Sequence, residues 1–163
     1  MTDLEARAEG RARELVERCT ARGVTVATAE SCTAGMVAST IADIPGASSV
    51  LRGGAVTYVD EVKHELLGVT TETLERFTAV SDACAAEMAQ GARERFKVSC
   101  AVSTTGYAGP DGGTADDPVG TVYFGIATPD GARTDRRCFE GGRQDVRRAA
   151  CCHALELLLD AIG

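Results

Sequence analysis

Val24-Thr25-Val26-Ala27-Thr28-Ala29-Glu30-Ser31-Cys32-Thr33-Ala34-Gly35 is the stretch on which the fold turns. Val24 to Ala29 is a short apolar run with β-branched residues, the mark of a buried strand. Residues 33–43 then carry a helical pattern, which Pro45-Gly46 stops. A buried strand leading directly into a helix is a building unit of layered α/β domains.

The flanking sequence repeats the theme. Upstream, Leu4, Ala8, Ala12, Leu15, Val16 and Cys19 recur at helical spacing over 3–22, and Gly23 suits a C-cap. Downstream, Val50 to Tyr58 reads as a strand, and Asp60 is placed to cap a short helix over 61–67 ending at Gly68. Thr71 and Thr73 open a short helical stretch to Phe77, and Ser81 caps a helix running to about Phe96. Val98 to Thr104 is another buried strand, followed by a glycine-rich loop over 105–118. Val119 to Ala127 and Arg133 to Phe139 are two strands joined by Pro129-Asp130-Gly131, a hairpin signal. Residues 143–162 close as a helix. This order predicts an α/β fold in a single domain over 1–163, with a mixed sheet because a hairpin has no place in a purely parallel one.

Composition narrows the function. The 163 residues are 44% hydrophobic and 25% charged, ordinary for a folded globular domain and unlike a disordered one. The formal net charge of −7 argues against a general nucleic-acid binder, which needs a broad basic face. No apolar run approaches the roughly 20 residues of a membrane span. The seven cysteines are odd in number and lack Cys-x-x-Cys spacing, and neither His64 nor His153 completes a zinc pattern. The expectation is a soluble cytoplasmic protein with reduced thiols, most of them packed as small core residues, and with no metal or cofactor. Apolar helices such as 151–162 offer a surface for pairing, so a homo-oligomer is expected.

Four segments carry groups fit for chemistry. Ser31 lies where the first strand turns into a helix, and free N–H groups there favour developing negative charge, so one turn can supply both a nucleophile and an oxyanion hole. Ser31 or Thr33 is equally suited to capping that helix. Cys32 is a rival nucleophile whose pKa a helix N-terminus would lower, although no histidine is close in sequence to serve it. Tyr58 and Lys63 form the second segment: a desolvated lysine can replace histidine as the base for a serine, while the plain alternative is a surface lysine and a core tyrosine. The third is the loop beginning Thr105-Gly106-Tyr107-Ala108-Gly109-Pro110, whose glycines permit close approach of backbone N–H groups to an anion and which is neither a dinucleotide fingerprint nor a P-loop. The fourth is Gly141-Gly142-Arg143 with Arg147 and Arg148, either an anion site at a helix start or a solvated basic face.

Taken together and in order, Thr-Ala-Glu-Ser-Cys-Thr at 28–33, Ile44-Pro45-Gly46, Val56-Thr57-Tyr58, Lys63-His64-Glu65-Leu66-Leu67-Gly68-Val69, the 106–113 loop and Pro118-Val119-Gly120-Thr121-Val122 resemble the C-terminal domain of the CinA (competence/damage-inducible) family, a family of nicotinamide-nucleotide amidohydrolases. The resemblance runs from about residue 5 to 162. It implies a three-layer α/β/α domain that hydrolyses the carboxamide of nicotinamide mononucleotide to nicotinate mononucleotide and ammonia. It implies Ser31 as nucleophile and Tyr58 and Lys63 as its partners, and with Ser31 in that role the backbone N–H groups of Cys32 and Thr33 in the same turn are expected to form the oxyanion hole. Gly35, Thr105, Gly106 and Gly109 would meet the substrate, with Arg143 a further candidate for its phosphate. The sequence departs from the family pattern where Ala34 takes the first place of a usual glycine pair and where Tyr107 replaces a smaller aliphatic residue. Two other readings stay open: a module that holds a pyridine nucleotide without turnover, and a structural partner in DNA uptake or repair, which the charge of −7 disfavours.

Overall fold

The computed structural model describes residues 1–163. Its elements are α1 (Asp3–Arg22), β1 (Val26–Glu30), α2 (Met36–Ala42), a 3-10 turn (Ala47–Ser49), β2 (Leu51–Val56), α3 (Asp60–Leu67), α4 (Thr71–Phe77), α5 (Asp82–Phe96), β3 (Cys100–Gly106), β4 (Thr121–Thr128), β5 (Gly131–Cys138) and α6 (Arg143–Ile162). The five strands form one sheet in the order β2-β1-β3-β4-β5. β1 runs parallel to both β2 and β3, while β3/β4 and β4/β5 are antiparallel. The mixed sheet, the hairpin and the α/β class are as the sequence predicts.

Side chains alternate across the sheet and divide the core in two. Val26, Cys100, Val102, Val122, Phe124 and Ile126 pack with α1, α2 and α6. Ala27, Ala29 and Ala101 face the other way, against Cys84, Met88 and Ala92 of α5 and Leu67 of α3. The second face is built from small residues, and α5 therefore lies close to the strands. A Cβ added at Gly125 would sit 2.1 Å from the Ala85 carbonyl oxygen. Helices cover both faces of the sheet, giving the three layers.

Several local details differ from the sequence reading. α2 begins at Met36 with Gly35 at its N-cap, so neither Ser31 nor Thr33 caps it; residues 31–35 form a separate turn. Val59, not Asp60, is the N-cap of α3, and Asp60 is the first acidic residue inside the helix. β3 extends through Gly106, which pushes the start of the long loop to Tyr107. The apolar residues at Cys151, Cys152, Ala154, Leu155 and 157–159 are buried against the chain's own core. The surface expected to support pairing is thus occupied within the protomer.

Candidate active site

The C-terminal ends of three neighbouring strands converge on one edge of the sheet. Glu30 at the end of β1 is in register with Val56 of β2 and Thr104 of β3. Ser31 and Thr57-Tyr58 therefore leave the sheet beside Thr105-Gly106, where β3 runs on against β4, at the end of the sheet where parallel strands of α/β folds present ligand-binding groups.

Glu30 shapes the first of these exits. It is a carboxylate with 1% exposure at the end of an otherwise apolar strand. Its Oε2 accepts from Thr33 Oγ1 at 2.7 Å, Gly35 N–H at 2.9 Å and Val37 N–H at 3.1 Å, and its Oε1 accepts from Ala38 N–H at 2.9 Å. A side chain six residues before the first residue of α2 thus acts as its N-cap, satisfying N–H groups that a helix start leaves free. Thr33 Oγ1 is also 2.7 Å from Thr104 Oγ1, and Ser31 N–H donates to the Thr104 carbonyl at 2.9 Å. Ala34 completes the tight turn with φ of +51°, a left-handed conformation that costs a residue with a Cβ about 1–2 kcal/mol.

Lys63 reaches the same point from α3. It is 1% exposed, and its Nζ lies 3.3 Å from Ser31 Oγ while donating to the Thr57 carbonyl at 3.0 Å. Burial pulls its pKa below the ordinary lysine value, against the opposing pull of Cys84, Asp60 and Cys32. The surface-lysine alternative is therefore excluded. Cys32 behaves contrary to expectation: burial pushes its thiol up to about 11, not down. Neither histidine is at the site. His64 Nδ1 contacts the Val69 carbonyl at 2.7 Å, and His153 Nε2 contacts Asp135 at 2.6 Å.

Ser31, Cys32 and Lys63 line a cavity of about 200 Å³. Ala79 and Val80 form an apolar wall, which Thr105 steadies by donating from Oγ1 to the Ala79 carbonyl at 2.7 Å. Thr78, just before that wall, holds φ of +67° and ψ of 172°, a strained position for a β-branched residue. Gly106, Tyr107 and Ala108 continue the lining, and Tyr58, Asp60 and Arg143 stand with them around the cavity. A Cβ at Gly106 would meet the Thr121 carbonyl oxygen at 2.5 Å, so glycine there permits the close approach of β3 and β4.

Not every residue singled out in the sequence lines this cavity. Tyr58 is half-exposed, not a core aromatic; its hydroxyl accepts from Arg143 Nη2 at 2.8 Å and is not bonded to Lys63. Arg143 Nη1 donates to the Gly109 carbonyl at 2.7 Å. Gly109 thus holds Arg143, and Gly35, with φ of +91°, gives its N–H to Glu30; both support the cavity from outside it. Arg147 and Arg148 are not at the cavity either. Arg147 turns inward to the carbonyls of Cys32 and Thr33, each at 3.0 Å, and Arg148 pairs with Glu5 at 2.9 Å. Glu30 and Thr104 are working residues that the sequence reading assigned no role, and Arg147, read there as an anion ligand or a solvated basic group, holds backbone carbonyls instead. The one available signal was a glutamate continuing a buried apolar strand.

Residues 8–162 match the model of the CinA C-terminal domain. Nicotinamide-nucleotide amidohydrolase PncC of Escherichia coli (strain K12) is 50% identical over 139 residues, 85% of this chain and 84% of that protein. A CinA-like protein of Fervidobacterium nodosum is 46% identical over 134 residues, which are 82% of this chain and 33% of that longer protein. Among solved structures, a competence/damage-inducible protein of Agrobacterium tumefaciens matches with a TM-score of 0.91 and 41% identity, covering 94% of each chain. A CinA superfamily protein of Escherichia coli matches with a TM-score of 0.92 and 35% identity, over 99% of this chain and 93% of the other. On the match to nearly its whole length, this chain belongs to the CinA C-terminal domain family.

Proposed function

We propose that this protein hydrolyses the carboxamide of nicotinamide mononucleotide to nicotinate mononucleotide and ammonia, with Ser31 as nucleophile and Lys63 as base. The observation that carries the reading is the buried Lys63 Nζ 3.3 Å from Ser31 Oγ. The half-identical relative named for this activity supports the substrate class.

A neutral Lys63 donates one N–H to the Thr57 carbonyl and turns its lone pair to the Ser31 hydroxyl. Ser31 Oγ attacks the carboxamide carbon as its proton passes to Nζ. The N–H groups of Cys32 and Thr33 donate to no other residue of the chain, leaving them free for the oxyanion. The C–N bond breaks, Lys63 returns the proton to the leaving nitrogen, and ammonia departs. Water then attacks the acyl-serine, giving its proton to Lys63, and Ser31 regains a proton as the carboxylate leaves. Cys32 is a poor rival: a thiol at about 11 holds only about one thiolate in 10⁴ at pH 7. The pyridine ring is assigned to the wall of Ala79 and Val80 and the side made by Gly106 and Tyr107. Its ribosyl phosphate is assigned to the mouth, where Arg143 uses two of five donors on Gly109 and Tyr58 and keeps the rest. In this reading Tyr58 orients Arg143 and does not act on Lys63. Seven free cysteines, six of them buried, fit a reducing, cytoplasmic setting.

The test is ammonia release by the purified protein from nicotinamide mononucleotide, NAD and free nicotinamide. Turnover of the mononucleotide well above the other two supports the proposal. Binding of the mononucleotide without ammonia release would favour the non-catalytic module instead.

A further inference from the structure

The turn that holds Ser31 contains two peptide units whose N–H groups are free, and each is fixed through its carbonyl. In a trans peptide the C=O and N–H point in opposite directions, so whatever grips the oxygen aims the N–H. The Ser31 carbonyl accepts from Ala34 N–H at 3.1 Å, and this fixes the Cys32 N–H. The Cys32 carbonyl has no backbone donor; its one partner is Arg147 Nε at 3.0 Å. The same guanidinium donates from Nη2 to the Thr33 carbonyl at 3.0 Å, which Met36 N–H also holds at 3.1 Å. Its third arm rests on Gln144 Oε1 at 3.3 Å.

Resting on the amidohydrolase reading, we infer that Arg147 is a positioning residue for the oxyanion hole: by holding the Cys32 carbonyl toward α6 it turns the Thr33 N–H away from α6, beside the Cys32 N–H. The two prongs fix the plane of the guanidinium, and the plane fixes the peptide. A charged donor on the Cys32 carbonyl also polarises that peptide and makes the Thr33 N–H a stronger donor. Lysine has a single point charge and cannot hold both carbonyls in one plane. Arg147 lies one helical turn beyond Arg143, so α6 presents one arginine to the cavity and one to the turn beneath it. The orientation of the hole is needed in the transition state and contributes little to ground-state binding, so the effect falls on kcat.

The experiment compares Arg147→Met, Arg147→Lys and Arg147→Ala with wild type and Ser31→Ala, using ammonia release from nicotinamide mononucleotide per folded molecule. Arg147→Met is expected to lower kcat about 10²-fold with KM within about threefold of wild type. Arg147→Lys is expected to lie between the two. Added guanidinium ion is expected to raise kcat of Arg147→Ala at least tenfold and leave wild type unchanged. Should Arg147→Met fold poorly, Arg147→Lys and the guanidinium rescue carry the test. Folded Arg147 variants with wild-type kcat, or a loss that lies wholly in KM or in folded fraction with no guanidinium rescue, overturn the inference while an inactive Ser31→Ala leaves the amidohydrolase reading standing. Full turnover by Ser31→Ala would instead overturn that reading, and this inference with it.

Discussion

Lys63 is a cationic residue placed where a cation is poorly solvated, and two consequences follow at the scale of the residue. Burial depresses its native pKa below the roughly 10.4 of a free lysine. Between the native value and that of the unfolded chain, the unfolded state binds a proton that the native state lacks. Stability therefore rises with pH across that window, and the cost is largest below it, where the native lysine must also be charged. Lys63→Met is expected to raise stability by on the order of 1 kcal/mol at neutral pH, with the gain shrinking as pH approaches 10.4, measured by urea unfolding. It is also expected to abolish turnover. In the wild type, kcat/KM is expected to climb with pH through an inflection below the ordinary lysine range. Ala34 offers a second residue-scale test. Ala34→Gly relieves the left-handed strain at the cost of added freedom in the unfolded chain, so stability is expected to hold or rise by up to about 1 kcal/mol in thermal denaturation.

At the scale of elements, the close seating of α5 and α3 sets where Lys63 can be. Gly91 of α5 faces the last turn of α3, and a Cβ there would lie 1.8 Å from the Leu67 carbonyl oxygen. Gly91→Ala is expected to destabilise by about 3 kcal/mol or more and to cost activity as well, because it pushes against the helix that carries Lys63. Gly10→Ala, in an exposed stretch of α1 with nothing within 4 Å, is the control and is expected to stabilise by about 0.5–1 kcal/mol. The contrast in chemical or thermal unfolding checks both. The elements themselves were largely legible. α1 and α6 are long and carry dense apolar positions, and the hairpin has its turn residues in place. The 31–35 turn was not legible, because local spacing cannot show that Glu30, a strand residue, caps α2 and frees Ser31 and Thr33 from that task. Ser31 and Lys63 could be named from motif and chemistry, but their approach depends on the register of β1 against β2 and on α3 docking, which no local pattern encodes.

At the scale of the whole molecule, the core holds nearly all of the thiols. Six of the seven cysteines are buried and Cys138 alone is exposed. A disulfide-exchange reagent is expected to titrate one thiol quickly in the native protein and all seven in denaturant; several fast-reacting native thiols would contradict this packing. The net charge of −7 belongs to the outer surface, while the cavity carries Lys63 and Arg143 opposite a single acidic lining residue, Asp60. Average charge therefore spoke to nucleic acid and not to a mononucleotide. Arg147 was misjudged for a related reason: at the start of a helix it reads as a ligand for an anion, and only the packed molecule shows it turned toward backbone carbonyls.

The pairing of Ser31 with Lys63 is tested most directly by ammonia release from nicotinamide mononucleotide by Ser31→Ala beside the wild type, both verified as folded. If Ser31 is the nucleophile, as proposed, its loss is expected to lower kcat by at least about 10³-fold, since members of a nucleophile–base unit fail together. A Ser31→Ala protein that still turns over within tenfold of wild type would contradict it.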